Sequence, residues 1–331
     1  MNYYSKVAEK RNDSEELRAC VEAVVENLKN GTTSVTKPGM LLGKIQGGKT
    51  RAFIGVIAYA FDNDYDISIV LTKGTKALAK QTYERVVEDF SELIEDDKIQ
   101  VFDIMSLPQN LTNYVLRQKL IFVAKKQKDN LGRIIKCLEE TYPNLKQRKL
   151  LIVDDEADFA SIGFTRTRNE GIELKKIATM IDNLRTKVEK SDFLQVTATP
   201  YSLYLQPEDI QLNDVIFKPI RPAFTVLLPI YPTYIGGDYY FKEEDYEETI
   251  DDYIYQEVPS EELGVLKKED GRVFKIEEAL KSKKIHFLRT AIINFIVGSV
   301  IRRIQQQDSD AKVSKYSFIV HTDIAKKTHD W

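Results

Sequence analysis

Two cysteines, Cys20 and Cys137, are all that the 331 residues contain, and they stand far apart. That spacing excludes a disulfide framework or a thiolate metal cage, and it leaves two small buried residues of the kind found in a reducing cytoplasm. Three histidines, His286, His321 and His329, show no metal-ligand spacing. No run of 18 apolar residues occurs, and the opening residues MNYYSKVAEKRND have no apolar core. Neither a signal peptide nor a membrane partner is therefore expected. Charge of one sign is also scarce: 48 Lys and Arg against 51 Asp and Glu leave a formal net charge of -3. Any nucleic-acid binding would then need a local basic surface, because the whole molecule exerts no bulk attraction on phosphates. Internal repeats and low-complexity segments are absent, and 43% hydrophobic with 30% charged residues is the composition of a globular protein.

The order of apolar runs speaks for the fold. Asp13 and Glu16 are spaced as a helix-capping pair, and Leu17, Val21, Val24 and Leu28 recur at helical intervals before Gly31. From there to about residue 220, short apolar runs (GMLL, ISIVL, KLIFVA, KLLIV, FLQVT) alternate with helical segments at Thr50 to Phe61, Thr75 to Phe90 and Asn130 to Glu140. Continuous apolar runs fit strands covered on both faces, and the rhythm predicts an α/β, doubly wound, mainly parallel sheet. RPAFTVLLPIYP, residues 221 to 232, breaks the rhythm with prolines. Residues 238 to 270 then carry 13 acidic residues against three lysines, which reads as a solvated insertion. A long helix is expected from about Ile276 or Ser282 to Gln306, with AIINFIVGSVI read as a core helix. A buried strand is expected at Tyr316 to His321.

LLGKIQGGKT, Leu41 to Thr50, contains the pattern GxxxxGK[ST], which a chain of this composition produces by chance with a probability on the order of one per cent. It stands between a predicted strand and a predicted helix, as a phosphate-binding loop must. Gly43, Gly47 and Gly48 would let backbone N–H groups approach the β- and γ-phosphates of ATP, Lys49 would bridge them, and Thr50 would offer a hydroxyl to Mg²⁺. The strand KLLIV ends in Asp154, Asp155, Glu156, Ala157 and Asp158. Four acids within five positions repel one another unless a cation sits among them. Asp155 is the expected Mg²⁺ ligand and Glu156 the expected base that orients and deprotonates water, with Asp158 coupling the site to neighbouring loops. After the next strand comes VTATPYS, with Thr197 and Thr199.

The order is informative: a phosphate loop, an Asp-Glu-Ala-Asp box 106 residues on (155 − 49), and a Thr-Ala-Thr 42 residues after that (197 − 155). This arrangement resembles that of superfamily-two helicases and translocases, built on RecA-like P-loop NTPase lobes. Within that group the chain looks most like the putative endonuclease family defined by the Z-one domain. The resemblance rests on GKIQGGKT, LLIVDDEAD with Ser161, VTATPYS and, more loosely, TYIGGDYYF and FIVHT. It covers most of residues 38 to 205. Gly47 stands where the family commonly has serine, and Gly163 where it has asparagine. The resemblance implies an ATP-dependent, helicase-like motor of bacterial restriction or phage defence, with defence-system subunits as partners. It also implies that Gln46 belongs to the phosphate loop and that Thr197 and Thr199 relay nucleotide state to nucleic acid. No nuclease triad stands out.

DNA is the expected macromolecular partner. The carboxyl ends of two strands suit it: Thr72, Lys73 and Thr75 at the start of one helix, and Lys125 and Lys126 after the third strand. The chain is expected to divide into an N-terminal helical segment (1–37), an ATPase lobe (38–220), an acidic insertion or linker (221–282) and the incomplete start of a second lobe (283–331). Such motors need an arginine from the second lobe, so little turnover is expected from these residues alone. Two other readings stay open: a P-loop switch or adaptor that binds ATP without translocating, and a protein docking role for the acidic, tyrosine-rich segment.

Overall fold

The computed structural model describes residues 2–34, 36–73, 75–157, 177, 179–199, 210–212, 215–217, 221–237, 256–266, 283–307 and 314–321. Residues 1–234 and 235–331 form two compact units.

In the first unit two helices precede the sheet. α1 (Tyr3–Arg11) starts where the Asn2 side chain accepts the Ser5 N–H, and it buries Tyr4, Val7 and Ala8. α2 (Glu15–Asn30) buries Leu17, Cys20, Val21, Val24, Val25 and Leu28, the face expected from their spacing. Its cap is Ser14 rather than Asp13: the Ser14 hydroxyl accepts the Leu17 N–H at 3.3 Å. The Asp13 carboxylate is instead buried between Arg11 (2.5 Å) and Arg51 (2.7 Å).

Seven parallel strands follow: β1 (Gly39–Leu42), β2 (Ile67–Thr72), β3 (Ile99–Asp103), β4 (Lys119–Lys125), β5 (Leu150–Asp155), β6 (Ser191–Thr197) and, after the short antiparallel pair β7 (Ile210–Leu212) and β8 (Val215–Phe217), β9 (Phe224–Leu227). Their order is β3-β4-β2-β5-β6-β1-β9. This is the α/β, RecA-like sheet expected from the sequence, with two strands that sequence reading passes over. β3 is an edge strand whose residues after Ile99 are only half-buried, so no continuous apolar run marks it. β9 lies within the proline-flanked stretch. Ala223 donates to Pro38 O (2.8 Å), and the Phe224 ring presses on Gly39, where a Cβ would fall 2.5 Å from it. Prolines at the ends of an edge strand cost no ladder hydrogen bond, so β9 forms.

α3 (Lys49–Asp62) and α4 (Lys76–Asp89), with α1 and α2, cover one face of the sheet through Phe53, Ile57, Val86 and Phe90 against Leu41, Val70, Val123, Val153 and Val196. α7 (Lys128–Lys136), which runs on into a wider π-type turn at Cys137–Thr141, covers the other face with residues 179–186. Of the two short helices α5 (Ser91–Glu95) and α6 (Asn113–Arg117), α5 packs on the edge strand β3. Both thiols are buried as expected, and burial pushes them up to about 11 at Cys20 and about 12 at Cys137, so neither is reactive at neutral pH.

In the second unit, α8 (Ser260–Leu266) contributes Glu262, whose buried carboxylate accepts the N–H groups of Phe287 (3.0 Å) and Leu288 (2.9 Å) and so caps α9 (His286–Gln307). The long helix ends where the sequence puts it but starts at His286, after a 3-10 turn at Lys283–Ile285, and it is not a core helix among the described residues: Ile293, Ile296 and Val297 are about half exposed. The expected strand at Tyr316 to His321 is likewise not formed there, because no described segment pairs with it. Most of the acidic 238–270 stretch lies outside the described residues.

Candidate nucleotide-binding site

Three neighbouring strands bring the motifs together. β6 lies between β1 and β5, with Leu42 level with Thr197 and Val196 level with Asp155. Two strand spacings separate the ends of β1 and β5 by ~10 Å. Gly43 ties the first loop to β6 by donating to the Thr197 carbonyl (3.1 Å), and the buried Thr197 hydroxyl accepts the Thr199 N–H (3.1 Å). Both threonines therefore sit between the phosphate loop and the acid pair. Asp158 lies outside the described residues.

The loop from Gly43 to Gly48 has the geometry of a cradle. At Gly43 a Cβ would fall 2.9 Å from Leu228 and 3.0 Å from Lys49, so a side chain there would have to displace both. Gly48 opens α3 at φ 85, a left-handed conformation that L side chains adopt only under strain, and Gln46 is left-handed as well (φ 57). The amides of Lys49, Thr50 and Arg51 form the first turn of α3, the helix end that favours an anion. The Lys49 ammonium donates to Lys44 O at 3.0 Å. Tyr231 and Tyr234, just past β9, brace the loop: the Tyr234 hydroxyl donates to Ile45 O (2.8 Å).

One cleft of about 750 Å³ is lined by Gln46, Gly48, Lys49 and Thr50 on one side and Asp155 and Glu156 on the other. Arg11, Arg51, Arg85 and Asp89 extend its wall. Sequence reading missed this wall: Arg11 bridges Asp13, Asp89 (3.1 Å) and the Arg51 carbonyl (3.0 Å), which fixes the α1–α2 junction to the first turn of α3. No local motif marks it.

The acid pair is held from beneath. Lys126, expected from its basic run to meet DNA, turns inward instead. Its side chain is 2% exposed, and its ammonium lies 2.8 Å from the Asp154 carboxylate and donates to the carbonyls of Asp155 (2.8 Å) and Glu156 (2.9 Å). A buried ammonium paired with one carboxylate and bonded to two carbonyls is withdrawn from a phosphate in solvent. Thr72 is buried too, and so is withdrawn from the expected DNA surface, whereas Thr75 is exposed and Lys125 half-buried. The Thr75 hydroxyl caps α4 through the Leu78 N–H (3.3 Å). Glu156 adopts φ 53, left-handed for a non-glycine, with its own N–H on Asp155 Oδ1 (3.0 Å) and its carboxylate 3.3 Å from the Lys73 ammonium.

Burial, reinforced by the adjacent Glu156 charge and opposed by Lys126, pushes the Asp155 carboxyl up to about 6. An unfolded aspartate titrates near about 3.9, so this group's contribution to stability is complete below that pH and is lost as pH rises through about 6. In EDTA at pH 7.5, Asp155→Asn is accordingly expected to melt a few degrees above the parent protein, and the difference should vanish near pH 4. Thermal melts at the two pH values check this; equal melting temperatures at pH 7.5 would contradict it.

Residues 22–204 match the family model described as DEAD/DEAH box helicase. No curated protein matches the chain. Among solved structures, the crystal structure of the DUF1998 helicase MrfA bound to DNA and AMPPNP gives a TM-score of 0.39 at 17% identity over 60% of this chain and 26% of that one. The Aeropyrum pernix ORC2 protein in its ADPNP-ADP complexes gives 0.31 at 17% identity over 65% and 47%. The chain thus spans about a quarter of the length of MrfA.

Proposed function

Since the chain belongs to the DEAD/DEAH box helicase family, we propose that it is the ATP-hydrolysing lobe of a helicase-like motor that works on DNA. The single observation that carries the reading is that Lys49, Thr50, Asp155 and Glu156 line one cleft. In this reading the triphosphate of ATP lies against the first amides of α3, with Lys49 drawn from the Lys44 carbonyl onto the β- and γ-phosphates. The Thr50 hydroxyl and the Asp155 carboxylate are hard oxygen donors that suit Mg²⁺ and would hold it. When bound, the ion offsets phosphate charge. Glu156 orients a water and takes its proton as the oxygen attacks the γ-phosphorus and the bond to the β-phosphate breaks. Thr197, which accepts from Gly43 and from Thr199, relays the change together with Thr199, with Asp158 as a further coupling residue.

Lys73 and Thr75, with Lys125 beside them, are the proposed phosphate contacts for DNA at the carboxyl edge of the sheet. The MrfA structure is described as bound to DNA. The Z-one-like motif residues extend the proposal to a restriction or phage-defence setting, with 38–220 as the motor lobe, 1–37 as its helical brace, 221–282 as an insertion and 283–331 as part of a second lobe. Among the described residues no helix is long and apolar enough to cross a membrane, and a cytoplasmic location is part of the proposal.

ATP turnover measured with and without single-stranded and duplex DNA tests the reading. Stimulation by DNA, weakening as salt rises, is the expected result. Nucleotide binding indifferent to DNA would replace the motor with a switch.

A further inference from the structure

The ion pair between Lys73 and Glu156 joins two residues with separate proposed roles: a DNA phosphate contact and the base for hydrolysis. The ammonium lies 3.3 Å from Glu156 Oε2, and that oxygen is shut off from solvent. An ammonium on this oxygen denies it to an attacking water and fixes the rotamer that sets where the other oxygen points. We propose that Lys73 couples DNA to hydrolysis: it holds the Glu156 carboxylate until a phosphodiester of single-stranded DNA takes over the ammonium and frees the carboxylate. The inference rests on the functional reading above and adds its regulation.

Three features make the exchange possible. The side chains are 39% and 42% exposed, so the pair is open to a polyanion and weak enough to be traded. Lys73 follows β2 and precedes α4, whose start carries the exposed Thr75 and Lys76, so a phosphate arriving there meets Lys73 together with the positive end of a helix. The backbone of Glu156, by contrast, is fixed in its left-handed conformation by the buried Lys126. Only the side chain of Glu156 has to move, which needs a rotamer change and no loop rearrangement. Lys73 is a positioning residue, acting through Glu156.

Two measurements test it. In ATP turnover, Lys73→Ala is expected to raise the DNA-free rate several-fold and to bring the ratio of stimulated to basal rate close to one, while Lys73→Arg, which keeps the pair, retains stimulation. An unchanged or lower basal rate in Lys73→Ala would overturn the proposal and leave Lys73 as a simple DNA contact.

The second measurement needs no turnover. Binding of a fluorescent single-stranded oligonucleotide without nucleotide should tighten about threefold to tenfold in Glu156→Gln, because Lys73 is released. It should not tighten when Glu156→Gln is added to Lys73→Ala. Equal tightening in both backgrounds, or none in either, would overturn the coupling. Failure of the functional reading looks different: Glu156→Gln would then keep the turnover rate of the parent protein.

Discussion

Replacing Glu156 with glutamine lowers ATP turnover by about 10²- to 10⁴-fold and leaves ATP affinity close to that of the parent protein. That range is what a positioned general base contributes. The amide keeps the size and the left-handed backbone of the residue, which is set by Lys126 bonding the Glu156 carbonyl, but it cannot accept the water proton. The phosphate loop on the other side of the cleft is untouched, so binding persists. Single-turnover hydrolysis beside equilibrium binding separates the two effects. A drop of less than tenfold would assign the proton to another group, and a matching loss of affinity would mean that Glu156 contacts the nucleotide directly.

Lys126→Ala carries the largest expected effect on stability. The substitution strands Asp154, which is 1% exposed, without its ammonium and takes the donor from the carbonyls of Asp155 and Glu156. Breaking a buried pair by removing one partner costs about 3–5 kcal/mol, a fall in melting temperature of roughly 6–20 °C for a unit of this size. Lys126→Met with Asp154→Leu should recover much of the loss, since two apolar side chains leave no buried charge. Denaturant unfolding of the single and double variants measures it. A loss below about 1 kcal/mol in Lys126→Ala would mean that solvent reaches the pair.

Lys126 also marks the limit of what the sequence discloses. The run AKKQK reads as basic and solvated, and nothing in it distinguishes Lys125, half-buried, from Lys126, fully buried. Burial there depends on the strand order that lays β4 beside β2 and β2 beside β5. The central strands are legible because both faces are covered and their residues are apolar throughout. β3 and β9 sit at the sheet edges, where Gln100, Asp103 and flanking prolines are tolerated, so the pattern fades. At the start of α2, Asp13 and Ser14 are adjacent candidates that can both accept a backbone N–H. The choice falls to Ser14 because Arg11 and Arg51, one of them 38 residues away, claim the Asp13 carboxylate. The phosphate loop and acid box were readable because each is defined by neighbours in sequence, whereas the Arg11 wall and the Lys73–Glu156 pair are made by residues distant in the chain.

The central claim is that Lys49 and the acid pair at the end of β5 close on one magnesium-bound triphosphate. Calorimetric titration of MgATP into the parent protein and into Lys49→Ala tests it most directly. The parent protein should give a saturable, single-site heat that Lys49→Ala abolishes. An absence of saturable heat in the parent, or an isotherm that Lys49→Ala leaves unchanged, would contradict the account.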